Sequence, residues 1–393
     1  MSDAALPLSP TDHVFTGVGS YAIEFVFAYQ DRIDPGDLRR SLDRTLEHFW
    51  PLRSKLTRIA EHSYGFQPAD DGLIFETSRS SEIFEDTDDV SHFVDSVHSV
   101  EGEPLTRIKL TQTPRGSVLG LSISHALVDG FSLFHFLTSW SRVFQGQRIL
   151  NPSCERELLT TETPELQGLV TPDEVLARCG LFWAGKRPPV SREQLREERL
   201  LFSKEAMNEL LAEAEEDCGV PLFHNDVLTA YLWRQCLTQW EKGDGSPITY
   251  VSCPVDFRRI LRTVPRTYFG NALCSATASI DYEGLVGASL GKLALLIRKA
   301  VSQVRQDYVS GSLQTLERLR HQRGLAVMEE IHVVPPQHGM LVTNVSRLPM
   351  QSLDFGGGIP TAFRALSSTQ RAAGILPAED GVEIRVFHPL VLS

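Results

Sequence analysis

Between Arg107 and Gly146 the chain reads as strand, turn, strand, loop and helix, and this one block narrows the folds open to the rest. Arg107 to Thr113 and Ser117 to Ser124 have strand character and flank Pro114, Arg115 and Gly116, a hairpin-like turn. The second strand ends at His125. Beyond Asp129 and Gly130, the sequence FSLFHFLTSWSRVFQ sets Phe134, Leu137 and Trp140 on one side and stops at Gly146, so a helix starts where the strand has finished.

The same mixture recurs along the chain. SYAIEFVFAYQ, from Ser20 to Gln30, reads as a strand, and Asp34 with Pro35 then caps a helix whose Leu38, Leu42, Leu46 and Phe49 form an apolar stripe. Strand-like pieces follow around Leu56, Phe66 and Leu73 to Glu76, with a short helix expected from Val90 to Val100. Residues 147–198 are interrupted by Pro152, Pro164, Pro172, Pro188 and Pro189 and end in SREQLREER, which suggests a crossover linker. The second half restarts with a strand at Leu200 to Ser203, helices at Lys204 to Glu216 and Asn225 to Trp240, and a strand at Ile248 to Val255. Helical patterns then run from Leu285 to Tyr308 and from Leu313 to Glu330. Strands are expected at Met340 to Val345, Thr361 to Leu366 and Val382 to Phe387. Strands and helices in both halves point to two α/β layers. The expected division is a domain over 1–150, a linker over 151–198 and a second domain over 199–393.

Composition excludes several classes of function. With 38 Lys and Arg against 50 Asp and Glu, the net charge of -12 offers no general basic surface for nucleic acid. Cys154, Cys179, Cys218, Cys236, Cys253 and Cys274 are scattered without a CxxC, the pattern of free thiols rather than of a zinc site or a disulfide framework. No positive, apolar leader opens the sequence and no apolar run is long enough to span a membrane, so a cytoplasmic protein is expected. GxSxG, GxGxxG, GxxxxGK[ST] and HExxH are absent, and no metal or bound redox cofactor is implied.

What remains is His125-Ala126-Leu127-Val128-Asp129-Gly130. Of 12 histidines, His125 alone has an aspartate four residues on. A histidine leaving the end of a strand is rigidly held yet emerges from the sheet, and its imidazole, with a pKa of about 6.5, can take a proton from an alcohol or amine. Read alone, the motif fits equally a half-buried histidine beside an aspartate that only caps a helix.

Five segments in order resemble the BAHD acyltransferases, the HxxxD family: LRRSLDRTLEHFWPLRSKL (Leu38 to Leu56), SHALVDGFSLFHFLTSW (Ser124 to Trp140), DVLTAYLWR (Asp226 to Arg234), PVDFRRILRTVPRTYFGNAL (Pro254 to Leu273) and VTNVSRLPMQSLDFGGG (Val342 to Gly358). The resemblance implies two chloramphenicol-acetyltransferase-like domains, each a mixed β-sheet with flanking helices, and an active-site channel at their interface. It implies transfer of an acyl group from acyl-CoA to a small alcohol or amine, with His125 as general base and no covalent acyl-enzyme. Such a base contributes about 10²- to 10⁴-fold. Asp129 would pair with Arg258, of VDFR, and fix the loop beside Gly130. Thr343 falls where some members place an oxyanion donor, although Val345 stands where the plant enzymes often have tryptophan. Asp354 and Gly356, in DFGGG rather than DFGWG, are expected to support the fold, and Arg347 to reach a CoA phosphate. Two alternatives stay open: an acyl donor on the phosphopantetheine of an acyl carrier protein, and a catalytically silent scaffold. Acyl-CoA is expected as co-substrate, with no permanent cofactor, and the family suggests a monomer.

Overall fold

All nine residues of the strand Gly116–Ser124 are buried, and the first half of the fold is arranged around it. Leu119, Leu121 and Ile123 face a core that includes Phe25, Phe27, Phe134, Leu137 and Trp140, while Val118 on the other face packs with Val26, Val90, Phe93 and Val94. A strand covered on both faces reads as a continuous apolar run. Gly120 is required in its middle: a Cβ there would lie 1.9 Å from the Phe93 carbonyl oxygen.

The computed structural model describes residues 4–84, 89–160, 168–190, 194–241, 246–367 and 369–390. The strand belongs to a five-stranded sheet in the order Ala362–Leu366, Ala22–Tyr29, Gly116–Ser124, Thr106–Thr113 and Leu73–Arg79, with the last pair parallel and the rest antiparallel. Two helices pack together on its apolar face, Pro35–Leu46, begun by Asp34, and Gly130–Phe144, begun by Asp129. The second, six-stranded sheet runs Leu273–Asp281, Ile248–Asp256, Gly339–Asn344, Ala372–Ala378, Gly381–Phe387 and Glu197–Phe202. Gly339–Asn344 is parallel to both of its neighbours. Helices His224–Trp240 and Leu290–Gln303 bury Trp233, Trp240, Leu293 and Ile297 in the core of this sheet.

Several expectations are corrected. The helix expected over Val90 to Val100 is one short 3-10 turn, Ser91–Phe93, followed by extended chain. Val90, Phe93, Val94 and Val97 do have helical spacing, but Val97 N donates to Ser122 Oγ at 3.0 Å, so the segment lies on the sheet instead. The pattern from Leu285 to Tyr308 is divided into Tyr282–Gly287, Leu290–Gln303 and the start of Gln306–Arg323, with Ser289 at the N-cap of the second. Gln306–Arg323 ends at Gly324, whose φ of 81° stops the helix before the 3-10 segment Leu325–Glu330. Leu273–Asp281 and Ala372–Ala378 were not anticipated, because CSATASID and AAGILPA are built of small residues with little strand signal.

One strand pairing crosses the expected division of the chain. Ala362–Leu366 pairs with Ala22–Tyr29, so the second half completes the first sheet. The expected linker is also built into the fold. Pro172–Cys179 packs on Gln306–Arg323, and Phe182–Trp183 pairs with Ile331–His332. Pro164 and residues 191–193 lie outside the described residues.

Candidate active site

The strand Gly116–Ser124 ends one residue before the histidine. His125 opens a turn closed by Leu127 N to Ser124 O at 3.0 Å, and Asp129 then caps Gly130–Phe144, its Oδ1 accepting from Ser132 N at 2.8 Å. Strand end, turn and cap fix both motif residues on rigid elements, and they point them to different partners.

Asp129 is fully buried and committed to structure. Arg258 grips it with a two-pronged fork, Nη2 to Oδ1 at 3.0 Å and Nη1 to Oδ2 at 2.8 Å, and Ala272 N donates to Oδ2 at 3.0 Å. Burial pushes the Asp129 carboxyl up, but the Arg258 charge and these hydrogen bonds hold it below its ordinary value. Arg258 also donates to the carbonyls of Tyr268 and Gly270 and to Ser132 Oγ, and Phe131 covers its guanidinium. The pair therefore clamps the loop 268–272 against the start of the motif helix.

A second buried pair holds the other side of that loop. Asp12, in the turn Pro10–His13, accepts from Arg156 Nε at 2.8 Å, with both side chains fully buried. Arg156 donates in turn to the carbonyls of Phe269 and Leu127. Tyr268 sits between the guanidinium groups, 5.4 Å from Arg156 and 5.8 Å from Arg258. Nothing in the local sequence around His125 marks Asp12 or Arg156, because both arrive from other parts of the chain. The S-x-x-D of Ser9 and Asp12, which forms a capping box, was the one available signal.

Asn271 joins the two clamps to the histidine. Its Nδ2 donates to Asp12 Oδ1 at 2.8 Å, to His125 O at 2.7 Å and to Ala126 O at 3.2 Å. The amide oxygen is therefore the end facing His125 Nδ1, at 3.1 Å, and it can only accept. His125 carries its proton on Nδ1, and Nε2 keeps a free lone pair. Phe15 stacks on the ring at 3.9 Å between centroids, and the Tyr21 ring meets it edge-on at 5.3 Å. Burial lowers the His125 pKa against the raising influence of its own backbone, Asp129, Asn271 and Asp12. The lowered value favours the neutral imidazole.

The other expected residues occupy three places. Thr343 is half-buried on Gly339–Asn344, in register with Gly374. Just beyond it, Leu348 and Val345 lie 3.6 and 3.9 Å from where a Cβ on Gly130 would stand, so this segment borders the start of the motif helix. Arg347 is exposed in the turn between them. Asp354 and Gly356 are remote from His125: the Asp354 backbone exchanges hydrogen bonds with Ser141 Oγ at 2.9 and 3.0 Å, about 18 Å along the helix from its cap. Phe355 is buried there against Trp140, Tyr29 and Phe144, and Gly356 has a φ of 85°. Among the described residues no cluster of three or more His, Cys, Asp or Glu is placed to hold a metal.

The sequence model of the Transferase family matches residues 1–390. The chain belongs to this family, the BAHD acyltransferases. It is an acyltransferase of groups other than aminoacyl groups. A hydroxycinnamoyl-CoA:5-hydroxyanthranilate N-hydroxycinnamoyltransferase of Avena sativa is 27% identical over 351 residues, covering 83% of this chain and 77% of the relative. The shikimate O-hydroxycinnamoyltransferase of Nicotiana tabacum is 24% identical over 339 residues, with 82% and 77% covered. Among solved structures, F. graminearum TRI101 complexed with coenzyme A and deoxynivalenol superposes with a TM-score of 0.76 at 15% identity, covering 98% of this chain and 95% of that one. Vinorine synthase gives 0.72 at 19% identity, with 99% and 91% covered. These BAHD structures share the fold described here. Among the described residues no helix is long and apolar enough to cross a membrane.

Proposed function

We propose that this protein transfers an acyl group from an acyl-CoA thioester directly to a hydroxyl or amine of a small acceptor, with His125 Nε2 as the general base. The observation that carries the reading is the Asn271 amide oxygen at 3.1 Å from Nδ1, which leaves Nε2 unprotonated and free to act. Nε2 takes the acceptor proton as the oxygen or nitrogen attacks the thioester carbonyl. The new bond to the acyl carbon forms, the carbon–sulfur bond breaks, and the proton on His125 passes to the departing thiolate of CoA. Asp129 acts through Arg258 by fixing the loop and touches no reacting atom. Thr343 supplies a hydroxyl to the developing oxyanion. Arg347, in the exposed turn, pairs with a phosphate of CoA, and the DFGGG loop supports the helix from behind.

Direct transfer is supported by the state of the cysteines. Burial pushes the thiols of Cys179, Cys253 and Cys274 up to about 12 and that of Cys154 up to about 11, so none of these is a ready nucleophile.

The test follows thiol release from a panel of acyl-CoAs with pooled alcohols and amines, comparing wild type with His125→Ala. The reading expects release that needs both an acceptor and His125. Release that survives His125→Ala would overturn the base assignment, and silence across the panel would overturn the free acyl-CoA donor. Arg347→Ala should raise KM for acyl-CoA, and an unchanged KM would remove Arg347 from the site.

A further inference from the structure

A cavity of about 520 Å³ opens beside the candidate site, and Tyr21, whose ring edge meets His125, forms part of its wall. Of the three Lys and Arg side chains that line it, two are paired within the protein. Lys186 Nζ lies 3.0 Å from Glu329, and Arg371 Nη1 lies 2.7 Å from Glu241. Glu24 accepts from Ser122 Oγ at 2.8 Å. His332 is hydrogen-bonded through Nε2 to the Gly185 carbonyl.

Arg187 is the exception. Its guanidinium is half-buried and bonds only the Val334 carbonyl, at 3.4 Å, with no carboxylate beside it among the described residues. Burial lowers its pKa, with no acidic side chain opposing the effect, and the Tyr21 hydroxyl is the group that raises it. A desolvated cation without a counter-ion is unfavourable unless something else supplies the negative charge. The backbone here is also built in place. Ala184 N donates to Glu330 O at 3.0 Å, and Gly19 packs so closely that a Cβ on it would lie 2.3 Å from the Arg187 carbonyl oxygen. Pro188 and Pro189 follow at once and restrict the chain beyond.

We propose that Arg187 binds a carboxylate of the acceptor, which makes the substrate class hydroxy or amino acids whose nucleophile lies about one tyrosine side chain from the acid group. This rests on the acyl-transfer reading for the choice of acceptor over donor. The planar guanidinium matches a carboxylate with two parallel hydrogen bonds, and Tyr21, which lines the cavity with Arg187 and has its ring 5.3 Å from that of His125, connects this wall to the histidine. The anion neutralises the one cation that the cavity leaves without a carboxylate, and it sets the distal hydroxyl or amine towards Nε2.

The experiment uses two matched pairs of probes: 3-(4-hydroxyphenyl)propionate with its methyl ester, and 6-aminohexanoate with its methyl ester. Thiol release from the acyl-CoA that wild type accepts gives kcat/KM for each, in wild type, Arg187→Gln and Arg187→Lys. Wild type should favour at least one acid over its ester about tenfold or more, the scale of a charge-assisted hydrogen bond. Arg187→Gln should bring that ratio close to one by raising KM for the acid, and Arg187→Lys should recover part of it. The melting temperature of Arg187→Gln should not fall, since that substitution removes a charge that has no carboxylate partner among the described residues. The acids and esters are also titrated calorimetrically against the full chain without acyl-CoA, so that binding is read even if no turnover occurs. Failure of turnover with Arg187-dependent binding of an acid would count against the acyl-transfer reading alone. An acid-to-ester ratio unchanged in Arg187→Gln, or no acid binding above its ester in wild type, would overturn the carboxylate assignment.

Discussion

The Asn271 amide oxygen lies 3.1 Å from His125 Nδ1, although 146 positions separate the two residues in sequence. Its amide nitrogen is fully occupied by Asp12 and by the carbonyls of His125 and Ala126, so the amide has one orientation open to it. The tautomer of His125 is thus decided from outside the HxxxD motif. Asn271→Leu keeps the branched shape but removes the acceptor, freeing the ring to carry its proton on Nε2. We expect kcat to fall by about 10²-fold, within the range for losing a positioned general base, while KM for acyl-CoA stays close to wild type. Steady-state kinetics with circular dichroism as a folding control would check it, and a fall confined to KM would contradict it.

The pH dependence of turnover tests the same histidine by another route. Burial holds its pKa below the ordinary 6.5. A base works only when unprotonated, so activity is retained above that lowered pKa and lost as pH falls through it. The acid limb of kcat/KM should therefore have its midpoint below 6.5, with no loss between pH 6.5 and 8 from this group. A midpoint above 6.5 would show that the neutral form is not favoured by the fold.

Asp129 and Arg258 should behave as a structural pair. Both are buried, with side-chain exposures of 0% and 2%, and each satisfies the other's charge. Removing Arg258 leaves the buried Asp129 uncompensated, and removing Asp129 leaves Arg258 only the partly exposed Asp256 at 3.2 Å, so Arg258→Ala should cost about 3–5 kcal/mol in urea unfolding and Asp129→Ala somewhat less. Asp129→Ala with Arg258→Ala removes both charges at once and should be less destabilised than the sum of the single changes, a coupling read from the four-member cycle. Equal additive losses would mean that the fork contributes little. The sign with pH follows from the lowered Asp129 pKa: the stabilisation is present above the unfolded value of about 3.9 and is lost as acid protonates the folded carboxylate.

The sequence alone made the helix Gly130–Phe144 and its cap readable, because Phe134, Leu137 and Trp140 repeat at the helical period and Asp129 precedes a glycine. The partnership of Asp129 with Arg258 was legible only through the resemblance, since no local pattern relates residues 129 positions apart. Asn271 stood in the quoted YFGN segment but had no assigned task, and Asp12, Arg156, Phe15 and Tyr21 were silent. Their roles depend on where distant turns are packed, and that packing has no sequence period to read. The same reason explains Val90 to Val97, whose spacing fitted a helix while the neighbouring strand supplied a better partner in Ser122. Ala362–Leu366 joined the first sheet for want of any local signal stating which edge it would meet.

Two glycines should give opposite responses to one substitution. A Cβ on Gly270 would stand 2.4 Å from Arg156 Nη1, on a guanidinium locked by Asp12 and by the carbonyls of Phe269 and Leu127. Arg156 is fully buried and has no room to move aside, so Gly270→Ala should cost about 1–3 kcal/mol by overpacking, and more if the Asp12 pair opens. Because Asn271 is the next residue and leans on Asp12, the displaced loop should also lower kcat. At Gly130 the same Cβ would meet Leu348 and Val345 at 3.6 and 3.9 Å, which is ordinary contact, and the backbone there is helical. Gly130→Ala should leave stability unchanged or raise it by up to about 1 kcal/mol through helix propensity. Urea midpoints for the two variants decide the matter: a tolerated Gly270→Ala would mean that the Asp12–Arg156 clamp yields readily, and with it the rigid placement of Asn271 on which the base assignment of His125 stands.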